Sequence, residues 1–478
     1  MKPTSVHLSS HIRSQAIANI ITLHSARIIT KIGLQKKRNR TAYIFFMHKT
    51  IRLSLLSLLI PLFSAAQNNR TFKIYINKGY QKISIPVELI DSVCVTSTTN
   101  EISSSSLCNN GLPIIKLTAD GPIEKEQKTN GTLTEVSTLD GITNESLNYM
   151  TIAGRGNSTW LAGEKKPYKV KLQTRYSIAG LPAERSYIFL SNPFDNSMLR
   201  NEVGFALSRI SNLEWTPNSA YADVYLNDDY RGTYQITDKV GISETKLNIG
   251  NNGYLLEVTP SNRITNDELY IKTKCGLILA IYDFEGDAAD DAKYKYLSDY
   301  VNYCEEAIYA PNGIASNGMS IDDLIDIDSY VDWYLINEIT KNVDANMFAS
   351  CNMHITLSSK LYMGPVWDFD LSLGNCFEEH AENLRNPEGL HIAEAVWFKQ
   401  LLAKDFFFER VKQRFRHFYT NRKNLINTIK REAELIRPSA LCNAERWNNG
   451  VDFDEEVTKL VNFLDVRFEW LNNYYFPQ

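Results

Sequence analysis

The chain has little of what the commonest metal and nucleophile chemistries require. Its eight histidines form no H-E-x-x-H pair, which excludes the usual helical zinc-hydrolase site. The seven cysteines (Cys94, Cys108, Cys275, Cys304, Cys351, Cys376 and Cys442) are scattered without a C-x-x-C, so no zinc-site spacing is present. An odd count leaves at least one thiol free even in an oxidising compartment, and most are expected to pack as small buried hydrophobes. There is no G-x-S-x-G, no Walker loop and no G-x-G-x-x-G, which argues against an α/β-hydrolase nucleophile and the two best-known phosphate cradles. A net charge of -4 lacks the basic surplus of general nucleic-acid binders.

Negative charge is missing altogether at the start. No Asp or Glu precedes Glu88, while Lys and Arg recur from Lys2 to Arg52. The uncharged run Leu53 to Ala66 (L-S-L-L-S-L-L-I-P-L-F-S-A-A) follows Lys49 and Arg52 and ends in small residues. That pattern reads as a secretory signal peptide, and it is too short to span a bilayer comfortably. An N-terminal membrane anchor is disfavoured by Pro61 and the small residues after it. Met47 stands just ahead of the run. The expected organisation is therefore an over-extended gene start at 1–46, a signal peptide at 47–66, a small β unit at 67–95, a linker at 96–111 and a main domain at 112–478. Export to the periplasm, the cell surface or the medium follows, with no stable transmembrane segment after cleavage.

What the chain does have is material for a core. It is 478 residues long, with 44% hydrophobic and 22% charged residues, an ordinary globular balance with room for more than one domain. From Leu112 the pattern is α+β. Extended segments are predicted at 114–118, 133–136, 150–154, 168–172 and 187–190. A helix is predicted at 197–210, with strands at 222–226, 232–236, 253–258 and 278–283. Ser320 and Asp323 form a capping box ahead of an apolar helical stripe. A hairpin at 351–357 and 361–366 then precedes amphipathic helices from Ala393 onward. A β-rich half followed by a helical half predicts two lobes with a cleft between them.

Two segments carry the chemistry. G-R-G-N-S-T-W…K-K-P-Y-K-V-K-L, from Gly154 to Leu172, sets a small, hydroxyl-bearing turn before a lysine-rich strand. Arg155, Asn157, Ser158 and Thr159 offer backbone N–H groups and polar side chains to phosphate oxygens. On a strand, Lys169 and Lys171 share one face with Lys165, and Lys166 shares the other with the core, so Lys166 is the expected phosphate contact. A solvated lysine row on an edge strand is the ordinary alternative. The second segment, G-P-V-W-D-F-D-L-S-L-G-N from Gly364 to Asn375, holds Asp368 and Asp370. If extended, it projects both carboxylates to one face, where their repulsion is relieved by a divalent cation with oxygen ligands, Mg²⁺ or Mn²⁺. An isolated D-x-D usually caps a turn or meets surface lysines, but here the frame is apolar. Asp344, after the capped helix, is placed to accept a proton from an attacking hydroxyl.

These motifs, together with N-P-F-D-N-S-M-L-R-N, V-Y-L-N-D-D-Y-R-G-T-Y-Q-I-T-D-K-V and N-V-D-A-N in that order, resemble the CotH (spore coat protein H) kinase family from about Leu112 onward. The resemblance implies a divergent protein-kinase-like two-lobed fold that binds ATP with Mg²⁺ or Mn²⁺ and phosphorylates Ser or Thr of exported or surface proteins. It implies Asp344 as catalytic residue, Asp368 and Asp370 as metal ligands, and Arg155, Asn157, Ser158 and Lys166 at the nucleotide. Asp238 stands on the nucleotide side where many members carry Glu. Asn346 and Asn352 are the candidates for a metal-binding Asn. Arg200 is expected to pair with an acidic group of the nucleotide lobe.

Two other classes compete. A non-catalytic binding or surface-assembly module could line a glycan groove with Trp160, Trp215, Trp397 and Tyr221. A carboxylate-pair hydrolase is disfavoured, because acids at i and i+2 sit too close for glycosidase geometry. His354 is expected as a strand residue rather than a base.

Overall fold

Alternating apolar residues close the first half of the chain into a seven-stranded barrel. The computed structural model describes residues 110–137, 144–265, 268–284, 291–380 and 382–477, with five short strands nearer the N-terminus. Those five belong to a separate unit (Met1–Leu107 with Glu135–Ser146) and form one two-stranded and one three-stranded sheet. The expected signal peptide lies outside the described residues; of the expected gene start only Thr4–His7 and Ala42–Phe46 are described, and of the expected linker only residues 110 and 111.

The barrel strands are β1 (Ile114–Ala119), β2 (Thr129–Ser137), β3 (Asn144–Gly154), β4 (Tyr168–Tyr176), β5 (Glu184–Leu190), β6 (Ser219–Leu226) and β7 (Asp229–Asp238). Their order around the barrel is β5-β7-β6-β1-β2-β3-β4, and β4 pairs antiparallel with β5 to close it. Side chains two apart share a face. Thus Tyr168, Val170 and Leu172 fill the interior with Ile152, Tyr187, Phe189 and Tyr234, while Lys171 is exposed outside. The β6–β7 connection is a tight turn in which Asn227 and Asp228 both hold left-handed φ, 49° and 65°, as a two-residue hairpin loop of this hand requires.

The second half is mixed. β8 (Gly253–Val258), β9 (Tyr270–Lys272), β10 (Ile278–Phe284), β11 (Cys351–Thr356) and β12 (Tyr362–Met363) form a five-stranded sheet. Its helices share one large core. The Ser320–Asp323 capping box is present, but it opens only a single turn, Ile321–Leu324. The chain then bridges to Leu361, and Asp326 N donates to Leu361 O at 3.0 Å. Asp326 caps the main helix afresh, accepting from Ser329 N at 2.8 Å. A helix at Asp291–Tyr309 was not among the expected elements. The 43-residue helix Asp405–Trp447 runs back to the barrel. There Ser439 Oγ donates to Asp223 at 2.7 Å and Arg446 Nε to Tyr230 O at 2.8 Å. Among the described residues no helix is long and apolar enough to cross a membrane.

The element that positions the site is the helix Arg200–Arg209, with every residue from Arg200 to Ser208 buried. It starts later than its apolar pattern suggests, because Asp195 organises the preceding turn. Asp195 accepts from Ser197 N, Ser197 Oγ and Arg200 N at 3.0, 2.6 and 2.8 Å. It also pairs with the Arg200 guanidinium at 2.6 Å, the acidic partner expected for Arg200. Gly204 faces Phe369 so closely that a Cβ would lie 2.3 Å from the ring. Any side chain there would push the D-F-D segment away.

Candidate active site

Local backbone contacts build the site. The R-G-N-S-T-W segment leaves β3 and turns back at Gly156, where φ is +81° and a Cβ would meet Thr159 Oγ1 at 2.1 Å. Only glycine fits both demands. Arg155 N donates to Pro167 O at 3.2 Å, and Lys125 Nζ donates to Asn157 Oδ1 at 2.9 Å. On the opposite wall, Asp368-Phe369-Asp370 is not a strand. Asp368 adopts φ +66° and Phe369 is fully buried between the two acids. The segment is gripped from both sides. Asn201 Oδ1 accepts from Phe369 N at 2.8 Å, and Asn342 Nδ2 donates to Asp368 O at 3.1 Å. Arg200 Nε donates to Ser372 O at 3.0 Å, and Asn375 Nδ2 to Asp370 O at 2.6 Å. The expectation of an extended D-x-D is therefore corrected, yet both acids line the same cavity.

That cavity, about 350 Å³, brings together most of the expected residues: Arg155, Asn157, Ser158, Asp344, Asp368 and Asp370. Its size falls in the range of small-molecule sites. Asn352 also lines it, whereas Asn346 is exposed and does not. Lys166 is placed elsewhere. Its Nζ donates to Trp160 O at 2.5 Å and lies over the Trp160 ring, 5.1 Å from the centroid, so it braces the loop. Lys165 is turned away as well, donating to Thr233 O at 2.5 Å. The lysine of β4 that lines the cavity is Lys169, because the barrel interior claims the side of β4 that carries Tyr168 and Val170. Asp238 sits behind the wall, accepting from Asn218 N and Nδ2 at 3.0 and 2.8 Å. The residues after it, Lys239 and Val240, reach the cavity instead.

Sequence reasoning missed Glu257, Lys239, Arg263 and Ser350, all of which line the cleft. The one readable signal was Glu257, a lone acid in the otherwise apolar strand Y-L-L-E-V. Ser350 Oγ donates to Asp368 Oδ2 at 3.1 Å. Among the alternatives, Trp397 and Tyr221 are buried in the core and line no groove. His354 bonds Glu214 and Gly364 O at 3.0 and 3.2 Å as a strand residue of β11.

Electrostatics single this cleft out. Burial, then the charge of Asp368, pushes Asp370 well above the usual carboxylate range. The same two causes raise Asp344, with Arg263 and His380 opposing. Glu257 is raised to about 7, by burial first and Asp368 second, against Arg155 and Arg263. On the other side, burial lowers Arg155, offset by Asp368, Glu257 and Asp370. Burial also lowers Lys169, and the neighbouring cations Lys239, Lys128, Lys171 and Arg155 add to the effect. Acids and bases thus face one cavity, and the shifts of Asp370, Asp344, Glu257, Arg155 and Lys169 cluster there, as is common at functional sites.

The donor set fits a hard divalent cation. Asp368, Asp370 and Asn352 offer only oxygen ligands, the Asn352 amide nitrogen being a donor to Pro365 O, and the acids repel one another without a positive charge between them. Among the described residues no group of three or more His, Cys, Asp or Glu could hold a metal ion alone. Mg²⁺ usually takes one or two carboxylates and completes its shell from water and substrate phosphates, so two acids suffice.

The raised Glu257 makes a stability prediction. Its folded pKa of about 7 lies above the ordinary 4.5, so between those values the folded form keeps a proton the unfolded chain has lost. Stability is therefore lost as pH rises through that window, by about 3 kcal/mol. Urea unfolding across the window should show a falling limb that Glu257→Gln flattens. An unchanged limb in that variant would remove Glu257 as its source.

Comparison with curated proteins finds no match. Residues 152–471, more than half of the chain, match the family described as CotH kinase protein, and the chain therefore belongs to the CotH kinase family.

Proposed function

We propose that this protein is an exported, atypical protein kinase that transfers the γ-phosphoryl group of ATP to Ser or Thr hydroxyls of an exported or surface protein. The observation that carries the reading is the convergence of Arg155, Lys169 and Lys239 with Asp344, Asp368 and Asp370 on one cavity. The barrel half and the helical half supply these opposed walls, which supports a divergent kinase-like two-lobed arrangement. Export rests on the leader-like run Leu53 to Ala66.

Phosphoryl transfer asks mainly for positioning and charge neutralisation. Arg155, Lys169 and Lys239 offset the phosphate charge, and the Gly154–Trp160 turn supplies further polar contacts. Asp368 and Asp370 would hold Mg²⁺ or Mn²⁺, which supplies charge neutralisation on the β- and γ-phosphates when bound. Asp344 takes the proton of the acceptor hydroxyl as its oxygen bonds to the γ-phosphorus and the bridging bond to ADP breaks. Its raised pKa makes it a better base than an ordinary carboxylate.

The test is transfer of label from γ-radiolabelled ATP to the protein itself or to a Ser/Thr-rich carrier, with and without Mg²⁺ or Mn²⁺. Metal-dependent labelling is expected; no labelling with no ATP binding by calorimetry overturns the reading. A non-catalytic member is the second reading, because Asn346 is exposed away from the cleft. ATP binding without any transfer would favour it.

A further inference from the structure

Two buried polar side chains in the cleft have nothing to bond. Ser191 and Asn192 follow directly on β5, are 2% and 8% exposed, and both line the cavity. Neither Ser191 Oγ nor Asn192 Nδ2 has a hydrogen-bond partner. Folded proteins rarely leave such atoms unsatisfied, and here two orphans are adjacent in one wall. Asn192 also holds a left-handed φ of +48°, a conformation Asn tolerates better than most residues. Asp195 N closes that turn on Asn192 O at 3.3 Å.

The same wall borders a second cavity lined by Lys165, Asp195, Asn443 and Trp447. Three of its polar side chains are already engaged: Lys165 Nζ with Thr233 O, Asn443 Oδ1 with Thr233 N, and Trp447 Nε1 with Arg231 O. Asp195 is committed to Arg200. Ser191 and Asn192 border both spaces, and the cleft is the one that also holds Arg155, Lys169 and Lys239 for phosphate. Around it, Ile188, Leu190, Pro193 and Val240 give an apolar surround, unsuited to phosphate and suited to a flat ring.

We infer that Ser191 and Asn192 read the hydrogen-bonding edge of a nucleobase, so that the cleft selects a nucleoside triphosphate over bare polyphosphate. The inference rests on the nucleotide reading above and adds the group that recognises the base. The Asn192 amide donates to a ring nitrogen or carbonyl. The Ser191 hydroxyl, able to donate or accept, meets the neighbouring amine or N–H. Recognition comes from side chains, so it can be removed by substitution without touching the backbone.

Calorimetry with ATP and with inorganic tripolyphosphate, each with Mg²⁺, tests this on the full chain, Ser191→Ala and Asn192→Gly. Glycine is chosen because it keeps the left-handed φ. The unaltered protein should bind ATP more tightly than tripolyphosphate. Each variant should lose about tenfold in ATP affinity and stay within about twofold for tripolyphosphate, which touches neither side chain. The melting temperature of ligand-free Ser191→Ala should hold or rise, because no bond is lost; a fall would show the hydroxyl to be structural and overturn the inference. Equal losses for both probes, or unchanged ATP affinity, would also overturn it. If the unaltered protein binds tripolyphosphate but ATP no better, this inference fails alone. If it binds neither, the nucleotide reading fails with it.

Discussion

Replacing Asp368 with asparagine is expected to lower metal-dependent phosphoryl transfer by about a thousandfold or more, which corresponds to about 4 kcal/mol of transition-state stabilisation. The same change should raise the melting temperature of the ligand-free protein. Asp368 contributes to raising Asp370, Asp344 and Glu257, so removing its charge relieves three neighbours at once. Asparagine tolerates the φ of +66° and can still accept the Ser350 hydrogen bond. Alanine can do neither, and its left-handed backbone costs roughly 1 kcal/mol more. Both variants should be inactive, with the Asn form more stable than the Ala form. Labelled-ATP transfer and thermal unfolding read the two effects separately. Transfer by the Asn variant within about tenfold of normal would remove Asp368 from the metal site.

Asp344→Asn is expected to cost about a hundredfold to ten-thousandfold in transfer while leaving ATP affinity unchanged. Asp344 lies on the cleft wall, and its backbone carbonyl, not its carboxylate, holds the local turn by accepting from Ala349 N at 3.2 Å. Neutralising the side chain therefore removes a proton acceptor and little structure. The pH profile gives a second readout. A base must be deprotonated, and burial together with Asp368 raises this one. The acid limb of the unaltered protein should accordingly begin at higher pH than for an ordinary carboxylate, and the variant should lose that limb. Loss of ATP binding in Asp344→Asn would instead place the residue at the nucleotide.

Strand faces were readable where residues alternate, as in β4, and less so in β5 and β6, whose buried residues run together. Closure was not readable. The parallel pairing of β1 with β6, Asp223 against Ile114, joins distant parts of the chain, and no local pattern announces it. The helix Asp291–Tyr309 escaped notice because its tyrosines blur the stripe: Tyr300 is buried while Tyr296 is 40% exposed. In the site, the acids were legible because carboxylates in an apolar frame are costly. The cations were misassigned by one face. Period two sorts the residues of β4, but Lys165 and Lys166 precede that strand, and only the closed barrel decides that its Lys169 side meets the cleft. A similar offset puts Lys239, rather than Asp238, at the wall.

The grip on the D-F-D segment has a consequence for descent. Asn201, Asn342 and Asn375 hold its main chain and Arg200 that of Ser372 just beyond it, and none of them needs the carboxylates to do so. A descendant that exchanged its cleft acids for neutral residues would keep its outline and outlast its ancestor on heating. The proposed turnover would thus be a detachable trait, to be judged from a handful of side chains and never from silhouette.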